Sequence, residues 1–433
     1  MPLRRTLRLG LFQLAAGALS VLFLGVLNRV MRVELGLSLL TVTILVGGGH
    51  YLGALIAIPF GYYSDRHPIG GYRRTIYILL GSLAAIIILV TAPLLVQWVA
   101  LEPSVTRVSI GFVFFLLEGI ATYVAGTAYL SLITDLTDEG RRGQVTGWVW
   151  TLLMVGIIAT GILSGFALDP YSIGRVSNLF IISAVIVALL SVLALFGQEP
   201  KLSAFPSAKR DKLSKAFSTI IENRQARWFG AFLFLSMFSY FMQDVLLEPF
   251  GGDVFALSPA ETTRFNAYMG SGVVVAMLVG GTRLIPRRGK PWTTSLGIML
   301  MVISFASLSL SAIIGTPQLL PAAILLLGVG AGFFTVGGVA LMMDMTSTVH
   351  TGMFVGAWTL IQAFAKGPTA IIGGALYTGF NSLGLSVGQA YAGVFMIEAA
   401  GLLISLLFLK QVTVDKFKRS LDSIGRVAAE ALQ

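Results

Sequence analysis

Ten polar or ionisable side chains lie within or at the ends of long apolar runs: Arg29, Arg32, Glu34, His50, Glu118, Gln243, Asp244, Glu248, Lys366 and Glu398. At membrane depth each such group costs several kcal/mol unless it is paired or used, so each is a candidate for ligand binding or proton coupling. His50 is either a ligand to a metal, free or carried by a pigment, or a packing and hydrogen-bonding residue. Glu118 and Lys366 lie deeper in their runs and either pair or carry protons. Asp244 and Glu248 are four residues apart and share one helix face. Pro249, Gly251 and Gly252 follow, so the helix is expected to end or break there. The types and spacings give no metal-ligand cluster, phosphate-cradling loop or nucleophile triad, and the chain has no cysteine. The pattern therefore points to binding and transport chemistry and not to an enzyme.

The elements that must hold these groups are transmembrane helices. Of 433 residues, 56% are apolar and 12% charged, about half the charged share of a soluble protein. Twelve apolar runs are expected to span, at about 9–33, 39–62, 75–97, 107–134, 145–168, 177–197, 228–249, 264–284, 293–313, 318–345, 352–378 and 386–410. They are numbered here as spans 1 to 12. Runs of about 20 apolar residues suit helices, because transmembrane barrel strands need only about ten. Arg4, Arg5 and Arg8 precede the first run without a small-residue cleavage site after it, so it reads as a span and not a removed signal. The net charge of +10 sits in short loops, which speaks for a lipid bilayer and against nucleic acid. The N-terminus, even-numbered loops and tail hold 24 of the 30 Lys and Arg; Arg29, Arg32, Arg107, Arg175 and Arg264 lie on the other side. Basic loops stay cytoplasmic, so both termini are expected there.

The chain is expected to divide into a six-helix half (1–197), a cytoplasmic linker (198–227), a second six-helix half (228–410) and a tail (411–433). In the linker, Leu213, Phe217, Ile220 and Ile221 at helical spacing beside Lys201, Lys209, Arg210, Lys212 and Lys215 predict an amphipathic surface helix. The tail repeats this with Phe417, Leu421, Ile424 and Ala428 opposite Lys416, Arg419 and Asp422. An internal repeat links the halves. DLTDEGRRGQVTG after span 4 and DMTSTVHTGMFVG after span 10 place Asp135 and Asp344, Gly143 and Gly352, and Gly147 and Gly356 at one common offset. Two six-helix halves related in this way predict an all-α membrane protein of the major facilitator fold. Spans 1 and 7 are then equivalent, and Arg29 or Arg32 is expected to pair with Asp244 or Glu248. Glycines cluster in spans 2, 5, 8 and 11 (Gly49, Gly53, Gly161, Gly165, Gly270, Gly272, Gly373, Gly374), and small residues allow close helix crossings.

After span 2 the chain reads GYYSDRHPIGGYRR, which resembles the cytoplasmic signature of the major facilitator superfamily. Gly61 permits close approach, and Asp65 can sit against a helix N-terminus or an arginine. The resemblance implies a cytoplasmic gate of Gly61, Asp65, Arg66, Arg73, Arg74, Asp135 and Arg142, with Arg142 as a partner of Asp65. The matching second-half loop, GGTRLIPRRGK, has no acid, so a second latch is not expected.

LNRVMRVELG at 27–36, SDRHPIGGYRR at 64–74 and QDVLLEPFGGDVFALSPAETT at 243–263 resemble the PucC family, the bacteriochlorophyll-delivery branch of the superfamily. The resemblance implies a photosynthetic membrane protein that helps assemble light-harvesting or chlorophyll-binding polypeptides. No tightly bound cofactor is implied; chlorophyll or bacteriochlorophyll is cargo. The membrane would be a bacterial inner, intracytoplasmic or thylakoid membrane. Two other readings stay open: a proton-coupled transporter of a small amphipathic solute, working through Glu118, Asp244 or Glu398, and a structural partner with no ligand.

Overall fold

The computed structural model describes residues 1–37, 39–168, 170–201, 221–257, 259–346 and 351–420. The expected linker positions 209, 210, 212, 213, 215, 217 and 220 and tail positions 421, 422, 424 and 428 lie outside them, as does the side chain of Arg32.

The described residues are almost wholly helical. Ten helices are long and apolar enough to cross a membrane: Leu3–Arg29, Ile44–Arg66, Thr75–Leu101, Val105–Leu136, Glu139–Ala167, Ile173–Leu195, Arg264–Arg288, Lys290–Ile314, Pro317–Asp344 and Val387–Leu409. They are spans 1–6, 8–10 and 12. The other two expected spans are interrupted. Span 7 is Arg224–Asp244 followed by Leu247–Phe255, bent by 44°. The break precedes Pro249, contrary to the expected site. Pro249 is the third residue of the new helix, where a backbone N–H has no intrahelical partner anyway. Span 11 was expected to be continuous but is two helices, Thr351–Lys366 and Thr369–Ser382. Gly367 and Pro368 part them, because proline cannot continue the hydrogen-bond ladder.

Polar side chains close the helix starts. Ser104 accepts from Arg107 N (3.4 Å) at span 4, Ser172 from Arg175 N (3.2 Å) at span 6, and Asn223 from Gln225 and Ala226 N (2.9 and 3.0 Å) at span 7. Span 12 opens with a full capping box of Ser386 and Gln389.

The chain forms two compact units. One comprises Met1–Arg210 with Thr348–Leu360, the other Asp211–Ser347 with Ile361–Gln433. The first part of span 11 thus belongs with the first unit. Within that unit the packed pairs include spans 1 and 5, 1 and 6, 2 and 4, 3 and 4, and 3 and 6. Within the other they include 7 and 11, 7 and 12, 8 and 10, 9 and 10, and 9 and 12. The second list is the first advanced by six, the duplication expected of the major facilitator fold. Glycine serves these pairs at equivalent places. A Cβ on Gly53 in span 2 would strike the Gly119 backbone in span 4, and one on Gly272 in span 8 would lie 2.6 Å from Leu325 O in span 10. Gly161 and Gly165 in span 5 have open space beside them.

Candidate functional site

Three groups of the expected polar residues come together, two in the first unit and one in the second. The first is built by a two-residue turn. Gly70 and Gly71 both adopt left-handed conformations (φ 61° and 84°), and Ile69 and Tyr72 exchange backbone hydrogen bonds of 2.9 and 3.0 Å across them. Left-handed residues at both central positions define the tight primed turn, for which Gly-Gly is suited. The reversal returns Arg73 and Arg74 to Asp65 in the last turn of span 2. Arg73 Nη2 lies 3.1 Å from Asp65 Oδ1, and Arg74 Nη2 donates to the same oxygen. The Arg74 fork also donates to Ser64 Oγ (2.8 Å) and, through Nε, to Asp135 Oδ2 (3.3 Å). Arg74 is completely buried. Burial opposes its charge, but Asp65 and Asp135 outweigh that and raise its pKa above the ordinary value.

Asp65 has a further role. Its two oxygens accept from Gly352 N (3.0 Å) and Met353 N (3.1 Å), capping the start of Thr351–Lys366 with a carboxylate where the helix dipole favours one. The backbones can approach because Gly61 faces Gly352: a Cβ on Gly352 would fall 2.6 Å from Gly61 O. Arg142, the expected partner of Asp65, instead directs Nε to the Thr137 carbonyl (3.4 Å). Arg73 and Arg74 reach Asp65 first because the turn carries them back within the same loop. Arg66 stacks on Tyr62, 3.9 Å from the ring centroid.

Glu199 belongs to this group and was missed from sequence. Its carboxylate accepts from the amides of Arg73 (2.7 Å), Arg74 (2.9 and 3.1 Å) and Thr75 (2.7 Å), capping span 3. The second unit has a relative of the group. Lys290 at the start of span 9 meets Asp344 at the end of span 10 at 2.5 Å, as Arg74 at the start of span 3 meets Asp135 at the end of span 4. An acid from the end of the following span serves where the loop itself has none.

The second group is His50 with Glu118. Nδ1 and Oε2 are 2.5 Å apart and both side chains are buried. Glu118 Oε1 accepts from Thr122 Oγ1 at 2.9 Å. The rings of Tyr51 and Tyr123 lie 5.1 and 5.5 Å from the imidazole, centroid to centroid. Glu118 thus has a partner in span 2, where sequence alone left it a choice between Lys366 and proton transfer.

The third group lies in the second unit. Asp244 interacts electrostatically with Lys366 and with Glu398. Gln243 Nε2 donates to Asp244 Oδ1 at 2.5 Å, and Lys366 Nζ is 4.2 Å from the Phe241 ring centroid. Glu398 is completely buried, and neither carboxyl oxygen has a hydrogen-bond partner among the described residues. The breaks in spans 7 and 11 lie beside Asp244 and Lys366. Glu248 does not join them; its Oε1 accepts from Asn266 Nδ2 at 2.7 Å. Asp253, also missed from sequence, ties the second piece of span 7 to span 12 by accepting from the Tyr391 hydroxyl at 2.7 Å. At the end of span 1, Arg29 and Glu34 are exposed. Burial and then Glu34 raise the pKa of Tyr171, in the loop after span 5, above its ordinary value.

The family model described as PUCC protein matches residues 26–417. Protein PucC of Cereibacter sphaeroides is 30% identical, over 94% of this chain and 92% of its own. The bacteriochlorophyll synthase 44.5 kDa chain of Rhodobacter capsulatus is 32% identical, over 84% of this chain and 85% of its own. Among solved structures, the major facilitator proton:xylose symporter XylE superposes with a TM-score of 0.72 at 14% identity, covering 96% of this chain and 98% of its own. A bacterial homologue of the iron transporter ferroportin gives 0.70 at 15%, covering 95% and 99%. At such identities the structural likeness bears on the fold alone. The match across residues 26–417 and the two long relatives bear on descent, and by them this multi-pass membrane chain belongs to the PucC family, on a major facilitator fold.

Proposed function

We propose that this protein binds chlorophyll or bacteriochlorophyll within the membrane and hands it to light-harvesting or other chlorophyll-binding polypeptides as they assemble. One observation carries the reading: PucC membership over residues 26–417, in a family where one relative is named as a bacteriochlorophyll synthase chain. The chemistry of the chain agrees with it. A pigment with a flat macrocycle and a long apolar tail needs an apolar, aromatic-rich carrier and one metal ligand. The spans are rich in phenylalanine, 28 in the whole chain, and His50 offers an imidazole. On this reading the protein moves or holds cargo and breaks no covalent bond, and both termini face the cytoplasm. The Asp65 group acts as the gate that holds the start of Thr351–Lys366 in place. The test is purification in mild detergent from a pigment-making host, followed by an absorption spectrum. A chlorophyll-type band at fixed stoichiometry supports the reading. A colourless protein, with normal light-harvesting content in a strain that lacks it, overturns it.

A second reading, proton-coupled transport of an amphipathic solute, is favoured by Glu398. A buried carboxyl without partners is far costlier as the anion than as the acid, and Asp244 and Lys366 supply charges that can drive its exchange. Proton-dependent flux in vesicles, lost in Glu398→Gln, would establish this reading; equal flux in both proteins would end it.

A further inference from the structure

The His50–Glu118 pair carries more than a packing contact. Nδ1 of His50 is engaged with Oε2 of Glu118 at 2.5 Å, which leaves Nε2 as the ring nitrogen able to bind a ligand. The side-chain hydrogen bond of the His50 ring among the described residues is that of Nδ1, and His50 is 7% exposed. Metal-ligating histidines are held in the same manner, with the far nitrogen donating to a carboxylate that fixes ring and tautomer. The carboxylate is itself fixed by Thr122 (2.9 Å). The backbone around His50 is wound irregularly: π-helical over Thr43–His50, then 3-10 over Gly53–Ile56. Such winding is costly and gathers at functional sites. Along span 4, Gly126 lies two turns from Glu118 on the Thr122 face, and a Cβ there would meet nothing within 4 Å, so the wall of the helix is open at that level.

The ligand class follows from counting donors. No cluster of three or more His, Cys, Asp or Glu side chains stands ready for a metal among the described residues, so a free cation would find too few ligands here. A metal already held by four nitrogens of a macrocycle needs one. We propose that His50, through Nε2, is the axial ligand to the central magnesium of a tetrapyrrole, with Glu118 as the residue that positions it. The proposal rests on the pigment-handling reading above and assigns the residue that would read the metal.

The test titrates the full-length protein in mild detergent with bacteriochlorophyll a and, separately, with metal-free bacteriopheophytin a. The ratio of the two affinities is the readout, because general loosening of the protein cancels from it. The wild type is expected to favour the magnesium pigment, and loss of the Glu118 carboxylate should cost about 10–100-fold of that preference. His50→Leu should bind both pigments equally, and Glu118→Gln should lose most of the preference while His50 remains. Should His50→Leu not fold, His50→Gly should lack the preference and regain it when imidazole is added. A wild-type preference that survives in the His50 variants overturns the assignment while leaving pigment handling intact, as does a wild type that binds both pigments equally. A wild type that binds neither overturns the assignment and the pigment reading together.

Discussion

Asp65 accepts from two arginines and two backbone amides, and its side chain and that of Arg74 are fully buried. Removing one partner of such a pair leaves the other charge desolvated, which costs about 3–5 kcal/mol. Asp65→Asn should therefore lower stability by about that amount, read as a drop in the unfolding midpoint in detergent. Arg73→Lys should cost no more than about 1 kcal/mol, since Arg73 keeps contact with solvent and Lys retains the charge. Equal losses in the two variants would refute the central place given to the buried pair. Arg74 adds no pH dependence near neutrality. Its pKa is raised on folding, so its contribution is complete below the ordinary arginine value and fades only as pH climbs through the raised one. The Asp65 and Arg74 positions were legible from the short GYYSDRHPIGGYRR loop. Glu199 was not, because its three amides lie more than a hundred residues upstream and nothing in its own surroundings marks it. The His50–Glu118 contact was hidden for the same reason: each side chain was visible as an isolated polar group, but its partner was fixed only by which spans pack together.

At the level of elements, span 7 shows how a local rule can be right about a break and wrong about its place. Proline and two glycines suggested an end at 249–252, yet the helix over Leu247–Phe255 runs through all three. It stops one residue later, at Ala256, the one described non-glycine residue with positive φ (53°). Ala256 N and Leu257 N return to Gly252 O (3.0 Å) and Gly251 O (3.2 Å), the closing pattern in which glycine is preferred. Ala256→Gly should relieve the left-handed strain and stabilise the protein by about 1 kcal/mol. Gly71→Ala, at φ 84° in the span 2 turn, should cost about 1 kcal/mol. Matched thermal melts test both, and a shift in the same direction for the two would reject the backbone argument. Span lengths were readable because hydropathy counts residues. The interruptions in spans 7 and 11 were less so, because apolar composition continues straight across them.

On the scale of the whole molecule, each unit repeats the other's packing list with every span advanced by six. The repeat was visible in the common offset of Asp135 and Asp344, and the structure gives both acids the same task, gripping a basic residue at the start of the third span of their own half. The halves differ in elaboration. Among the described residues only the first has a left-handed Gly-Gly turn with an acid just before it, and that acid caps the start of Thr351–Lys366. Charge distribution across the loops argues one orientation for the entire chain, and two glycines allow it to be measured. Gly140 in the first turn of span 5 and Gly174 at the start of span 6 both have open space where a Cβ would stand, and the chain contains no native cysteine. Single substitutions Gly140→Cys and Gly174→Cys should therefore fold normally and report opposite sides of the membrane. In intact cells an impermeant maleimide should label Gly174→Cys and spare Gly140→Cys, and in inverted vesicles the order should reverse. Labelling of both positions from one side would mean that an even number of crossings separates them, against the single crossing made by span 5. Labelling in the reverse order would show that the arginine and lysine asymmetry does not set the orientation, and would place the Asp65 group on the outer face.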